Sequence, residues 1–186
     1  MKRITAFQIC FIAFCTVINL VGGSIALMLK LPVYLDSIGT FLTAALLGPA
    51  YGVIPGILSG IISGVSTDIY AFYFIPVQIM TGIMAGFVFK TSWIKKWKTP
   101  FGVLLISLPG TAVSAVITAF LFGGVTSSGS SILVILLHKL GMNLVTSVFV
   151  VQALTDYLDR LLAVGITVAV LALMSDSMKG QIKKYA

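Results

Sequence analysis

The chain has 186 residues, of which 59% are hydrophobic and 9% charged, and its mean hydropathy is +1.12. Soluble domains carry about 25% charged residues and disordered chains are more polar still, so both classes are excluded. What remains is a polytopic membrane protein, and at about 20 residues per span this length holds roughly six or seven helices.

The first predicted span covers about residues 4–29 and follows the basic Lys2-Arg3. It is too long for the apolar part of a signal peptide, and Leu29-Lys30-Leu31-Pro32 is no small-residue cleavage site. The next apolar stretch is split by Gly48-Pro49, which predicts two shorter helices, 36–48 and 50–66. Gly52, Gly56, Gly60 and Gly64 make one smooth stripe on the second of these, read first as close helix packing. A fourth span is expected over 70–90, kinked at Pro76, and a fifth over 101–122. Between them Lys90, Trp93, Lys95, Lys96, Trp97 and Lys98 form an interfacial, positively charged anchor. A Gly/Ser-rich loop, 123–131, precedes an apolar segment, 132–153, that carries His138, Lys139 and Asn143. The last span is expected over 156–175.

The formal charge of +7 matters through its placement. With 132–153 not crossing, one side receives Lys2, Arg3, Lys90, Lys95, Lys96, Lys98, Lys179, Lys183 and Lys184, and the other only Lys30, Lys139 and Arg160. A seventh crossing would move the last three lysines across and erase the asymmetry. The predicted fold is therefore an all-α integral membrane protein in one domain. It has six transmembrane helices and a re-entrant or surface helical segment, 132–153, between the fifth and sixth. Both termini are expected in the cytoplasm. No reason remains to invoke nucleic acid.

This topology gathers scarce polar groups at the outer end. Glu is absent, and four of the five acids, Asp36, Asp68, Asp156 and Asp159, fall there. Asn19, Gln78, His138, Asn143 and the tyrosines Tyr34, Tyr70, Tyr73 and Tyr157 join them. Polar residues inside a membrane protein mark sites, so an outward-opening pocket is expected. Its substrate-binding candidates are Asn19, Tyr34, Asp36, Tyr73, Gln78, His138, Asn143 and Asp156. The chain lacks a phosphate-binding loop and a nucleophile elbow. One histidine and two cysteines, Cys10 and Cys15, offer no metal cluster, so no metal or cofactor is expected. A Ser–His dyad between His138 and the loop serines is the remaining enzymatic reading. Ala6, Cys10 and Ala13 give the first helix a small-residue face suited to a partner membrane subunit.

The segments Leu35-Asp36-Ser37-Ile38-Gly39-Thr40, Leu47-Gly48-Pro49, Gly52 and Gly56 resemble the substrate-binding S components of energy-coupling-factor (ECF) vitamin transporters. Phe122-Gly123-Gly124-Val125-Thr126 and Thr155-Asp156-Tyr157-Leu158-Asp159 are similar to that group as well. The resemblance implies a subunit of the bacterial plasma membrane that captures a vitamin at the outer face. It then docks on a transmembrane scaffold subunit driven by two cytoplasmic ATPases. The family's Ala-x3-Ala docking pattern maps onto Ala6, Cys10 and Ala13, with Cys10 as a departure. In the pocket acids outnumber bases, which favours a neutral or weakly basic heterocycle such as hydroxymethylpyrimidine or pyridoxine. Pantothenate held by Lys139 or Arg160 is the alternative substrate, and a stand-alone secondary transporter the alternative mechanism.

Overall fold

The computed structural model describes residues 5–94 and 96–183, and among these it is helical without a strand. Lys2, Arg3, Lys95 and Lys184 of the charge asymmetry lie outside the described residues. The helices are α1 (Ala6–Met28), α2 (Ile38–Leu47), α3 (Pro49–Ser66), α4 (Ile69–Tyr73), α5 (Ile75–Val88), α6 (Thr99–Val116), α7 (Ser130–Lys139), α8 (Leu144–Leu173) and α9 (Asp176–Lys183). Among the described residues, α1, α3 and Thr99–Leu121 are long and apolar enough to cross a membrane. A fourth span exists if α8 and α9, bent by 110° at their junction, count as one. Large apolar side chains stand outward on these helices, Val17, Val65 and Phe120 among them, as a protein embedded in lipid requires.

Local chemistry sets the helix ends. Thr5 and Gln8 form a reciprocal capping box at the start of α1. The Gln8 amide also donates to the Ile182 carbonyl (3.0 Å), which folds α9 back onto α1. Gly48 separates α2 from α3 with φ +90°, a conformation that a Cβ disfavours, and Pro49 opens α3 where its missing N–H costs nothing. The expected kink at Pro76 is instead a break at Phe74. Asp68 caps the short α4, and Pro76 falls in the first turn of α5, where proline is tolerated.

The glycine stripe of α3 is a packing surface. A Cβ on Gly52, Gly56, Gly60 or Gly64 would lie 2.6–2.9 Å from Ala44, Gln78, Ile75 or Phe72 respectively. Gly82 and Gly86 of α5 reciprocate against Gly52 and Pro49. α2 sits at the centre, with eight of its ten residues buried among α1, α3, α5 and α8. Its tightest approach is Gly39, where a Cβ would fall 1.9 Å from the Cys15 carbonyl oxygen of α1. Gly39→Ala is expected to lower stability by at least the ~1–3 kcal/mol typical of overpacking, because backbone cannot yield as a side chain can. A thermal melt in detergent within a degree of the parent would contradict this contact.

The larger departure from the expected layout is at the C-terminal end. Residues 130–139 form α7, but residues 144–153 are the first turns of α8, which runs unbroken for 30 residues. Asn143 caps α8 through its side chain, and no glycine or proline follows until Gly165. Asp156, Asp159 and Arg160 therefore sit in the middle of a helix about 45 Å long, not at the start of a span. Ala85, Ile106, Val103, Phe41 and Ala163 fill the core below them.

Candidate functional site

A cavity opens at one end of the bundle. Its walls are the C-terminal half of α1, the end of α3, α4, the start of α5, Ser114 of α6 and Asp156 and Arg160 of α8. Its volume is about 90 Å³. That corresponds to roughly six to nine water positions, enough for a single-ring ligand. Two connections roof it. The segment between α1 and α2 meets the Ser-rich loop where Gly129 N–H donates to Leu31 O (3.3 Å). The Ser127 hydroxyl donates to Asp68, whose other oxygen caps α4 at Tyr70 N–H (3.1 Å). The Lys90 ammonium lies beside the Gly48 turn, at the opposite end of the bundle.

The charged floor comes from α8 and the α1–α2 connection. Asp159 accepts hydrogen bonds from the backbone N–H groups of Tyr34 (3.1 Å) and Leu35 (2.7 Å) and from the Arg160 guanidinium. Arg160 also donates to the Ser37 hydroxyl (3.1 Å) and stands 4.0 Å from Asp36. This clamp holds Leu35 at φ +53°, a conformation that needs such over-determination in a residue bearing a Cβ. The adjacent Asp159–Arg160 pair thereby fixes the roof to the floor.

Asp36 accepts from the Gln78 amide (2.6 Å) through one oxygen, while its other oxygen is buried without a hydrogen-bond partner. Burial pushes the Asp36 carboxyl up to about 6, against the opposing pull of Arg160. The Gln78 carbonyl oxygen is likewise buried and unpartnered. Asp156 accepts from the Thr111 hydroxyl (2.9 Å) through Oδ2. Tyr34 lines the wall close to both Asp36 and Asp156, and burial pushes its phenol up to about 12.

Five of the eight sequence-predicted binding residues, Asn19, Tyr34, Asp36, Gln78 and Asp156, line this one cavity. Asn19 does so with its amide already engaged, accepting from Gly39 N–H (2.7 Å) and donating to Thr40 (2.9 Å), so it secures the start of α2. The other three lie outside the lining. Tyr73 packs edge-on against Phe122 at 5.3 Å, and Tyr70 and Phe74 face the cavity in its place. His138 is exposed at the end of α7, its ring nitrogen 2.9 Å from the Met142 carbonyl. Asn143 is occupied in capping α8 at Val145 N–H (2.9 Å). Both belong to the α7–α8 turn, where exposed backbone groups demand partners. Tyr157 turns away toward the Pro100 carbonyl (3.4 Å). Ala6, Cys10 and Ala13 are exposed together on the outward face of α1.

Sequence reasoning places Asp159 at the pocket end without a binding role and Arg160 only as an anchor for an anionic ligand, and it misses Thr111 and the clamp these residues form. The available signal was three charges within five residues of an apolar helix, the pattern that marks intramembrane function. Starting the last helix at Asp156 puts those charges at an interface, where solvent rather than the α1–α2 connection would answer them. A scan against family models, a search of curated proteins and a search of solved structures each returned no match. The fold and cavity together define an all-helical protein with membrane-spanning apolar helices and an acidic, ring-sized cavity at one end.

Proposed function

We propose that this chain is the substrate-capture S component of an ECF-type importer in a bacterial plasma membrane. The observation that carries the reading is the ring-sized cavity with unpaired buried acceptors, placed opposite the lysine-rich end. In this reading six helices cross: α1, α2, α3, α5, α6 with its continuation to Leu121, and α8, while α7 does not. α2 is short for a span, yet protein surrounds it, so it need not match the hydrocarbon thickness. Lys90, Lys98, Lys179 and Lys183 then face the cytoplasm with both termini, and the cavity opens outward. The chain supplies binding and no catalysis. Energy comes from two partner ATPases through a scaffold subunit docked on the exposed Ala6, Cys10 and Ala13.

A heterocycle related to hydroxymethylpyrimidine or pyridoxine suits walls made of Tyr34, Tyr70, Phe74, Gln78 and carboxylates. Pantothenate suits them less, since the Arg160 guanidinium already serves Asp159 and Ser37. Affinity purification of the tagged chain from its native membrane is expected to bring down a scaffold and an ATPase pair. Uptake should require that pair, while binding should not. Cys10→Trp is expected to cut ATP-driven uptake at least tenfold and leave ligand affinity unchanged. Uptake by the chain alone in liposomes would favour a secondary transporter and end the S-component reading.

A further inference from the structure

Within the capture-site reading, the cavity walls define the charge of the ligand. Asp36, Asp68, Asp156 and Arg160 line the cavity, and Asp159 lies directly behind Arg160. Arg160 is the one basic side chain among the described lining residues, and Asp159 takes its charge. Asp36 stands 4.0 Å from the same guanidinium, too far for a hydrogen bond. Asp68 has its oxygens on Ser127 and the Tyr70 N–H, whereas Asp36 and Asp156 share with Asp159 the single guanidinium of the wall, so acids outnumber the base. Asp156 is 6% exposed, and beyond Thr111, which occupies Oδ2, no side chain or backbone group among the described residues bonds its Oδ1. The unpartnered Asp36 oxygen is fully buried, which is costly, and a cation in the cavity would supply both donor and counter-charge.

We propose that the cavity takes its ligand as an organic cation, with Asp156 as the principal counter-charge and Asp36 as the second carboxylate of the wall. Tyr34, Tyr70 and Phe74 line the cavity, an aromatic wall that suits a flat cationic heterocycle. Thr111 acts as a positioning residue, fixing the Asp156 carboxylate through its hydroxyl. An anion would meet an excess of carboxylates and a guanidinium already engaged.

Three pyridines of one shape test this by isothermal titration of the purified full chain in nanodiscs at neutral pH. They are 4-aminopyridine, which is a cation there, neutral isonicotinamide and anionic isonicotinate. The cation is expected to bind at least tenfold tighter than the amide, and isonicotinate weakest. Asp156→Asn keeps an acceptor for Thr111 and should shrink the cation-to-amide ratio to about threefold or less. Three results overturn the proposal: no saturable binding of 4-aminopyridine, amide or anion binding as tight as the cation, or a ratio unchanged in Asp156→Asn. The measurements on the unmodified chain decide the matter even if the variant fails to fold. None of them needs partner subunits. Failure to co-purify an ATPase pair, with the cation preference intact, would remove the importer and leave the cation site.

Discussion

Arg160→Met is expected to lower the stability of the folded chain by about 3–5 kcal/mol, the usual consequence of breaking a buried ion pair by removing one partner. The reason lies in what is left behind. Asp159 is 1% exposed and would keep its charge in the helix interior without the guanidinium beside it. The Ser37 hydroxyl would lose its donor, and Asp36 and Asp156 would lose the positive charge that offsets them. The double variant Asp159→Asn/Arg160→Met should recover part of this loss, because position 159 then carries no charge and its amide oxygen can still accept from the Tyr34 and Leu35 N–H groups. It should not recover all of it. Asp36 and Asp156 would still lack the guanidinium that offsets them, and the Ser37 hydroxyl its donor. Thermal melts of the three proteins in one detergent check the order: parent highest, double variant between, Arg160→Met lowest. An Arg160→Met protein that melts with the parent would mean the clamp contributes nothing.

Asp36→Asn is expected to act in opposite directions on stability and on binding. Burial holds the folded-state carboxyl near 6, above its ordinary 3.8. The folded chain then binds the proton more tightly than the unfolded chain, so ionisation of Asp36 disfavours folding. That penalty is absent below about pH 4, grows between 4 and 6, and is complete above 6. Asp36→Asn should thus raise the melting temperature at pH 7.5 and leave it nearly unchanged at pH 4. The gain at pH 7.5 is on the order of 1–2 kcal/mol once screening at the partly open mouth is allowed for. The groups facing Asp36 are Arg160, Asp159 and Asp156 from α8, Gln78 from α5 and Tyr34 from its own connection. Asn can still accept from the Gln78 amide, so the change isolates charge. Binding of 4-aminopyridine should weaken at least tenfold in the variant. In the parent it should weaken as the pH falls from 7.5 to 5, where the probe keeps its charge and Asp36 loses its own. A stabilised variant with undiminished cation affinity would show that Asp36 serves neither the ligand nor the cavity's charge. Opposed effects of this kind are expected where a binding site is built from groups the fold alone would not choose.

Much of the framework was legible from residue order because it depends on local physics. Composition alone required membrane helices. Gly48-Pro49 had to break α2 from α3, since only glycine readily accepts φ +90° and proline readily opens a helix. The four-residue spacing of Gly52 to Gly64 marked a close-packed face, and Gly82 and Gly86 supply its partner surface. The scarcity of acids directed attention to Asp36 and Asp156, both of which line the cavity.

Other assignments depended on partners far away in the chain. Asn19 and Gln78 are both amides in apolar helices. Packing commits the first to Gly39 and Thr40, and leaves the carbonyl oxygen of the second unpaired. Tyr73 and Tyr70 are three residues apart on one short helix, yet only Tyr70 lines the cavity. The charges of α8 show the same limit. Their spacing is local, but Asp159 acquires its role from backbone groups about 125 positions earlier, at Tyr34 and Leu35. Sequence by itself determined that this protein lives in a membrane, that α2 and α3 part at Gly48-Pro49 and which end gathers its acids. Only the tertiary structure decided which acids are neutralised and which remain open to a ligand. Helical period tells which face a side chain occupies, whereas the charge that meets it there is set by how the helices pack.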